Sequence, residues 1–112
     1  MKQLSVGHNL VADTKTTVYT VPTGYYALWN LCYATNATVN NAKINVWWYD
    51  ASQDVEIKII ENYTISPGQY LKFDGGAYVV LEAGDEIRMK SELGSTMSAV
   101  NTFELSRRAT NG

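Results

Sequence analysis

Hydrophobic and polar residues alternate along much of this chain with a period of two, which is the spacing of a β-strand with one buried face. Val55, Ile57 and Ile59, for example, share one face of a predicted strand, and Glu56 and Lys58 lie on the other. No window of helical length has a clear apolar repeat of 3.6 residues. Residue types that favour strands dominate the segments between turns. The pattern therefore predicts an all-β protein.

Turn signals recur about every ten residues, a spacing typical of a sandwich or barrel. The strongest are the Pro-Thr-Gly, Ser-Pro-Gly and Asp-Gly-Gly runs that begin at Pro22, Ser66 and Asp74. We expect strands at residues 16–21, 25–35, 43–50, 55–62, 69–73, 77–82, 86–91 and 97–105. These strands predict a single antiparallel β-sandwich or jelly-roll-like domain of about eight strands at residues 16–105. Residues 1–15 are predicted to form a polar N-terminal arm, and residues 106–112 a polar tail.

Two neighbouring strands do not fit the alternation, because both of their faces are largely apolar. In residues 25–34, the odd positions carry Ala27, Trp29, Leu31 and Tyr33, and the even positions include Tyr26, Leu28 and Cys32. In residues 43–50, one face carries Ile44, Val46 and Trp48, and the other carries Asn45, Trp47 and Tyr49. A small two-layer sandwich has no third layer to bury the second face.

The second apolar face therefore predicts a covering partner, which could be another subunit, an arm from a neighbour or a flat ligand stacked on the rings. Our interface candidates are Tyr26, Asn45, Trp47 and Tyr49. The alternative is that Trp47 and Tyr49 are scattered surface rings covered by Thr and Lys side chains of the same molecule.

Residues that could support catalysis or metal binding are scarce. The single histidine, His8, lies before the first predicted strand and excludes a multi-histidine metal site within one chain. Cys32 lies in an apolar strand, where a free thiol packs as a small hydrophobe. Residues 82–85 predict a turn, in which Gly84 can adopt a positive φ and Asp85 can accept hydrogen bonds from nearby backbone amides. They do not predict a calcium site, because no loop has the alternating acidic residues that such a site needs. We predict no catalytic residue, no metal, no cofactor and no enzymatic activity.

Charge and length exclude further classes of function. The chain has 112 residues, a net charge of −2 and a pI near 5.2, so it has no basic footprint for nucleic acid. No segment approaches the ~20 apolar residues that span a bilayer. The N-terminal residues resemble no secretory signal, and one cysteine cannot form an internal disulfide. We expect synthesis in a reducing compartment and neither a nucleic-acid nor a membrane partner.

Three motifs resemble those of small β-sandwich virion proteins from tailed bacteriophages. They are Tyr-Thr-Val-Pro-Thr-Gly at 19–24, Thr-Ile-Ser-Pro-Gly at 64–68 and Val-Leu-Glu-Ala-Gly-Asp-Glu-Ile at 80–87. The resemblance extends over residues 16–105. It implies a non-enzymatic head-decoration, neck or tail subunit that works in many copies, packing on itself and on other virion proteins. It also implies a place in the virion after synthesis in the host cytoplasm.

A second hypothesis is a carbohydrate-binding or host-adhesion module. Trp47 and Tyr49 occupy alternate positions of one strand with Asn45 beside them, which suits a platform for sugar rings. A phage protein could use such a face to adhere to its host, so the two hypotheses overlap.

Overall fold

Nine strands in two antiparallel sheets make up the fold, and the computed structural model describes residues 2–74 and 79–108. Within those ranges there is no helix, and the all-β prediction is confirmed. The strands are β1 (Lys2–Leu10), β2 (Thr16–Thr20), β3 (Tyr25–Asn36), β4 (Ala42–Asp50), β5 (Val55–Ile65), β6 (Tyr70–Asp74), β7 (Val80–Leu81), β8 (Glu86–Ser91) and β9 (Met97–Arg107).

The order of the strands is that of a jelly roll. One sheet has the order β1-β9-β3-β6, with β7 also paired to β3, and the other has the order β2-β8-β4-β5. Because β6 and β7 pair with different parts of β3, they act as one interrupted strand. Counted that way, the sheets run 1-8-3-6 and 2-7-4-5, which is an eight-stranded double sheet. The predicted jelly-roll-like sandwich of about eight strands is confirmed.

The N-terminal segment that we predicted to be an arm contains an edge strand. β1 pairs with β9 over nine residues, from Lys2 opposite Leu105 to Leu10 opposite Met97. Its inner-facing positions alternate with exposed ones, and Val6 packs against the core. Residues 2–10 are therefore part of the sandwich, because they have an apolar face to bury. At the other terminus β9 continues to Arg107, and residues 109–112 lie outside the described ranges.

The structure describes residues 79–82 of the strand predicted at residues 77–82. Among these, Val80–Leu81 forms a ladder with Ala27 and Leu28 of β3. Residues 75–78, which include part of the predicted Asp-Gly-Gly turn, lie outside the described ranges.

A β-bulge in β3 redistributes its side chains between the two faces. The pairing with β9 shifts register between Trp29 and Leu31, so Asn30 is the extra residue. Odd-numbered positions face the core before the bulge, and even-numbered positions face it afterwards. Both faces are apolar, as predicted, but Leu31 and Tyr33 lie on the outer face and Cys32 lies in the core.

The core between the sheets contains one buried polar link. The Trp29 indole Nε1 donates a hydrogen bond to Asn101 Oδ1 at 3.0 Å, and Asn101 Nδ2 lies 3.5 Å from the Met89 sulfur in the opposite sheet. Stacking of Tyr19 on Phe103, with ring centroids 4.2 Å apart, also joins the sheets. A buried amide with both ends satisfied helps to fix the register of the two sheets.

Two buried polar residues fasten the turns at opposite ends of β3. The Asp85 carboxylate accepts hydrogen bonds from Trp48 Nε1 and from the backbone amides of Ala51 and Glu82. Gly84 has a φ of +87°, so the predicted turn at residues 82–85 is confirmed. At the other end, the Asn36 amide donates to two backbone carbonyls and accepts from a third residue, Thr38.

Candidate interaction surfaces

The outer face of the β2-β8-β4-β5 sheet carries three of the four interface candidates, but it is covered by charged side chains of the same chain. Lys15 Nζ lies 4.2 Å from the Trp47 ring centroid, and Lys58 Nζ lies 5.4 Å from it. Trp47 is consequently only 9% exposed, although it lies outside the core cluster. Lysine side chains of the same molecule thus cover Trp47, as in the alternative that we gave from the sequence.

Tyr49 is covered in the same way. The Arg88 guanidinium carbon lies 4.1 Å from the Tyr49 ring centroid, a cation–π contact. The Tyr49 hydroxyl donates a hydrogen bond to Asp54 in the following hairpin, and this bond raises the pKa of Tyr49. The ring is therefore fixed by contacts within the chain.

Ion pairs connect these cations across the strands. Glu56 on β5 contacts both Lys15 and Arg88 at 2.8 Å, and Arg88 also contacts Glu86 at 2.9 Å. The hydrogen bond from Lys15, followed by that from Arg88, lowers the pKa of Glu56. The hydrogen bonds to Glu56 and Glu86 raise the pKa of Arg88. This charged network is the dominant feature of the face.

Asn45 has a structural partner. Its Oδ1 accepts a hydrogen bond from the backbone amide of Asn62 at 2.8 Å, and its Nδ2 donates to Asn62 Oδ1 at 3.2 Å. Asn62 has a φ of +47° in an irregular part of the β4–β5 ladder. The Asn45 side chain therefore stabilises a backbone conformation that non-glycine residues rarely adopt. That Asn45, Trp47 and Tyr49 contact a partner chain stays a prediction.

A groove of about 350 Å³ opens beside Trp47 on this face. Its lining includes Asn45 and Trp47 on β4 and Asn62 on β5. Three lysines from three different strands also line it, namely Lys43, Lys58 and Lys90. The Asp13 and Glu92 carboxylates line it as well, so the groove has three ammonium groups against two carboxylates, in a chain whose net charge is negative.

The outer face of the β1-β9-β3-β6 sheet has the opposite character. The bulge in β3 places Leu31 opposite Thr102 and Tyr33 opposite Val100 on this face, and Leu28 lies opposite Val80. Val80 is 51% exposed and Val100 is 38% exposed. Neighbouring strands thus present adjoining apolar side chains to solvent rather than single isolated ones.

Two stacked tyrosines and two charged residues complete the described part of this second face. Tyr33 stacks on Tyr70 of β6 with ring centroids 5.0 Å apart, and Tyr70 is 53% exposed. Of the side chains described here, Lys72 and Glu104 carry charge. We call the surface formed by Leu28, Leu31, Tyr33, Tyr70, Val80 and Val100 the apolar face.

Tyr26, the fourth interface candidate, lies at one end of the apolar face. It is half-buried and opposite Ser106 on β9. The Arg108 guanidinium carbon lies 5.3 Å from its ring centroid. Sequence reasoning had identified β3 as apolar on both faces, but it missed Leu31, Tyr33 and Val100 as members of the outer one.

The edge strand β5 is less buried than the alternation predicts. Val55, Ile57 and Ile59 were expected to lie in the core, but all three are exposed by more than a third. β5 has a neighbour on one side only, and its ladder with β4 contains two irregularities. An edge strand is covered incompletely by the opposite sheet, which accounts for this exposure.

Cys32 and His8 lie on different strands, β3 and β1, which are separated in the sheet by β9. Burial of Cys32 raises the pKa of its thiol to about 12, so the thiol stays protonated at neutral pH. His8 lies opposite Ala99, on the strand β1 that forms one edge of the sheet. Cys32 lies on β3, next to β6 at the other edge. In residues 2–74 and 79–108, His, Cys, Asp and Glu side chains form no cluster of three that could bind a metal. Nor does that part of the chain contain a helix with the length and apolarity to cross a bilayer.

Comparisons with known proteins identify the fold. No protein-family model matches the chain, and no curated protein sequence matches it. Among solved structures, a pilus structure from Bacillus endospore appendages is similar with a TM-score of 0.57 and 11% identity, over 96% of this chain and 87% of that one. This likeness agrees with the β-sandwich architecture.

Two further structures are similar at lower TM-scores. The globular domain of zebrafish complement 1qA has a TM-score of 0.48 and 17% identity, over 96% of this chain and 98% of that one. A pentameric capsid protein from metagenomic phage sequences has a TM-score of 0.44 and 18% identity, over 92% of this chain. This chain spans 60% of the length of that capsid protein.

Proposed function

We propose that this chain is a non-enzymatic structural subunit that assembles in many copies through its apolar face. The observation that carries the proposal is the pairing of Tyr33 on β3 with Val100 on β9, with Leu31 beside Tyr33 on the same outer face. Val100 is 38% exposed, and Leu31 and Tyr33 are half-buried. A soluble domain rarely exposes a continuous apolar surface of more than a few hundred Å², and a larger one marks an interaction site. Burial in a contact between subunits removes that surface from water.

The contrast between the two outer faces supports the choice of surface. Trp47 and Tyr49 on the other sheet are covered by Lys15, Lys58 and Arg88, which keep that face hydrated. On the apolar face, by contrast, Val80 is 51% exposed and Val100 is 38% exposed. Stable interfaces have an apolar centre that is depleted in charged residues. Among the described residues of this face, six are apolar or aromatic, and the charged ones are Lys72 and Glu104, opposite Tyr33 and Leu28.

We further propose that the assembly is the virion of a tailed phage, in which the chain is a decoration, neck or tail accessory subunit. The three motifs at residues 19–24, 64–68 and 80–87 support this proposal, and its other partners would be virion proteins. The proposal includes no catalytic residue. Mass spectrometry of purified particles tests it, because a structural subunit is present in many copies per particle. Absence of the chain from purified particles would contradict the virion role.

The assembly proposal predicts that a charge at the centre of the apolar face prevents association. We expect the unaltered chain to sediment at a multiple of its 12.5 kDa mass and Val100→Lys to sediment as a folded monomer. A buried, unpaired ammonium group costs several kcal/mol at an interface, on the order of 3 or more. Sedimentation equilibrium measures both masses, and circular dichroism checks that the variant is folded.

The matched control is Val39→Lys in the β3–β4 turn. Val39 is 86% exposed and lies outside the strands, so the same substitution there should leave the assembly unchanged. If the unaltered chain is a monomer at every concentration reached, the assembly proposal is wrong. If Val39→Lys dissociates the assembly as fully as Val100→Lys, the apolar face is not the interface.

A further inference from the structure

We infer that the groove beside Trp47 binds an acidic carbohydrate, that is, a sugar chain bearing carboxylate or sulfate groups. The groove lies on the sheet opposite the apolar face, so this inference does not depend on the assembly proposed above. It rests on the side chains that three neighbouring strands bring to one cavity of about 350 Å³. Cavities of a few hundred Å³ are of the size that accommodates small ligands.

The polar groups that line the groove include more donors than free acceptors, because the Asp13 and Glu92 carboxylates already face Lys90 and the Lys43 backbone amide. Lys43, Lys58 and Lys90 each present an ammonium group, which donates hydrogen bonds and accepts none. Asn62 Oδ1 already accepts a hydrogen bond from Asn45, which leaves the Asn62 amide nitrogen to donate. A ligand rich in anionic and hydroxyl oxygens is complementary to such a set.

The anions that now face these lysines are replaceable. Lys90 lies 3.5 Å from Asp13, and Lys58 lies 3.4 Å from Glu61; all four side chains are at least 38% exposed. Such long, exposed ion pairs contribute little free energy. Lys43 forms no ion pair with any residue of ranges 2–74 and 79–108, although Glu92 accepts a hydrogen bond from its backbone amide. A ligand carboxylate or sulfate can therefore take over these contacts without removing a buried partner.

Trp47 favours a sugar over a bare anion. Its indole ring lines the groove beside the lysines, and aromatic rings are common contact surfaces for sugar rings in proteins. The lysine cover leaves too little of the ring for a neutral sugar to stack on freely, since Trp47 is 9% exposed. The sequence suggested an open aromatic platform for sugar rings, whereas the structure has a groove lined by charged side chains. In this groove the carboxylate or sulfate group of the sugar provides the main contact.

A nucleic acid fits the surface less well. Recognition of a phosphate backbone needs a basic stripe that follows it, and the salt dependence of binding scales with the number of phosphates neutralised. Asp13 and Glu92 lie at the groove itself, Lys and Arg beyond it alternate with Glu56 and Glu86, and the chain has a net charge of −2. The positive potential is therefore limited to a site of one or two sugar residues.

Calorimetry and tryptophan fluorescence on the full chain test the inference. The probes are an oligogalacturonate, a carrageenan oligosaccharide that carries sulfate but no carboxylate, a neutral maltooligosaccharide, polyglutamate and an oligothymidylate. We expect saturable binding of one or both acidic oligosaccharides, at least about tenfold tighter than binding of any other probe. A preference between the first two probes identifies carboxylate or sulfate as the recognised group.

Substitutions locate the site. The double substitution Lys43→Gln with Lys90→Gln should weaken binding of the acidic oligosaccharide by about tenfold or more, because charge-assisted hydrogen bonds are lost. The matched control is Lys2→Gln, on the exposed start of β1, which should leave the affinity unchanged. Trp47→Phe should abolish most of the fluorescence change, since Trp29 and Trp48 lie elsewhere in the fold.

Several results would overturn the inference. They are the absence of binding of both acidic oligosaccharides, equal affinity for polyglutamate, tighter binding of the oligothymidylate, and an equal loss of affinity in Lys2→Gln. Equal affinity for polyglutamate would show simple charge attraction, and tighter binding of the oligothymidylate would indicate a nucleic-acid site. None of these results would alter the sedimentation test of the apolar face.

Discussion

At the scale of single residues, the environment of β4 shows how charged side chains replace a missing third layer. Trp47 and Tyr49 point away from the core, yet their rings are covered by the hydrocarbon stems and charged heads of Lys15, Lys58 and Arg88. Glu56 forms ion pairs with Lys15 and Arg88, so its carboxylate positions two of the three cations above the rings. A sandwich can therefore carry large rings on a hydrated face when ion pairs organise the cations above them.

This role of Glu56 predicts a pH-dependent contribution to stability. Its folded-state pKa is lower than that of an ordinary glutamate, so the unfolded chain binds the proton more tightly. The contribution is therefore complete above the ordinary glutamate pKa and is lost as the pH falls through the lower, folded-state value. Relative to Glu56→Gln, we expect the unaltered chain to be about 1 kcal/mol more stable near neutral pH, with a difference that vanishes in acid.

Urea unfolding of both proteins at several pH values measures this difference. The control is Glu61→Gln, which removes an exposed carboxylate 3.4 Å from Lys58 and should cost less than about 0.5 kcal/mol. A stability difference for Glu56→Gln that stays constant from neutral to acid pH would show that the carboxylate does not act through its charge.

At the scale of secondary-structure elements, turn chemistry made most strands predictable. Glycine and proline at the Pro22, Ser66 and Gly84 turns limit the conformations of the chain locally, and local rules can be read from sequence. The alternation of Leu4, Val6, His8 and Leu10 also predicts β1, and it was overlooked because the surrounding residues are polar. A period of two was a better guide there than overall polarity.

The bulge at Asn30 could not be read from sequence in the same way. It is defined by the pairing of β3 with β9, a strand about 70 residues later in the chain, and a change of one residue exchanges the faces. The lysine cover over Trp47 could not be predicted either, because it depends on the order of β4 and β5 in the sheet and on the position of Lys15 in the fold. Long-range register, rather than local propensity, determined what sequence reasoning missed.

The bulge leads to a prediction for β3. Deletion of Asn30 would join Trp29 directly to Leu31, which keeps every other residue of β3 opposite its present partner on β9 and on its present face. We therefore expect a loss of less than about 2 kcal/mol in the free energy of unfolding, because the core side chains keep their packing. We also expect the Cys32 thiol, buried in the unaltered protein, to stay protected from a thiol reagent.

The control is Asn30→Ala, which keeps the number of residues and so keeps the bulge. Its cost should be below about 1 kcal/mol, as is common for a partly exposed polar residue. If the deletion costs about 3 kcal/mol more than Asn30→Ala, or exposes the Cys32 thiol, Asn30 is not the extra residue that sets the faces of β3.

At the scale of the whole molecule, the two outer faces differ in chemistry and so suit different kinds of partner. One sheet presents Val80, Val100 and Tyr70 to solvent, which suits burial against another subunit. The other presents a groove of lysines and asparagines, which suits a hydrated, anionic ligand. A subunit with this arrangement can assemble through one sheet and keep the other accessible.

The most direct test of the apolar face is hydroxyl-radical footprinting, in which mass spectrometry measures the oxidation of each side chain in dilute and in concentrated protein. Tyr63 on β5, which is 47% exposed, serves as the internal reference. We predict that oxidation of Tyr33, Tyr70 and Val100 falls as the chains associate, while that of Tyr63 stays constant. Equal oxidation of the apolar face at both concentrations, in protein shown to have associated, would contradict this account.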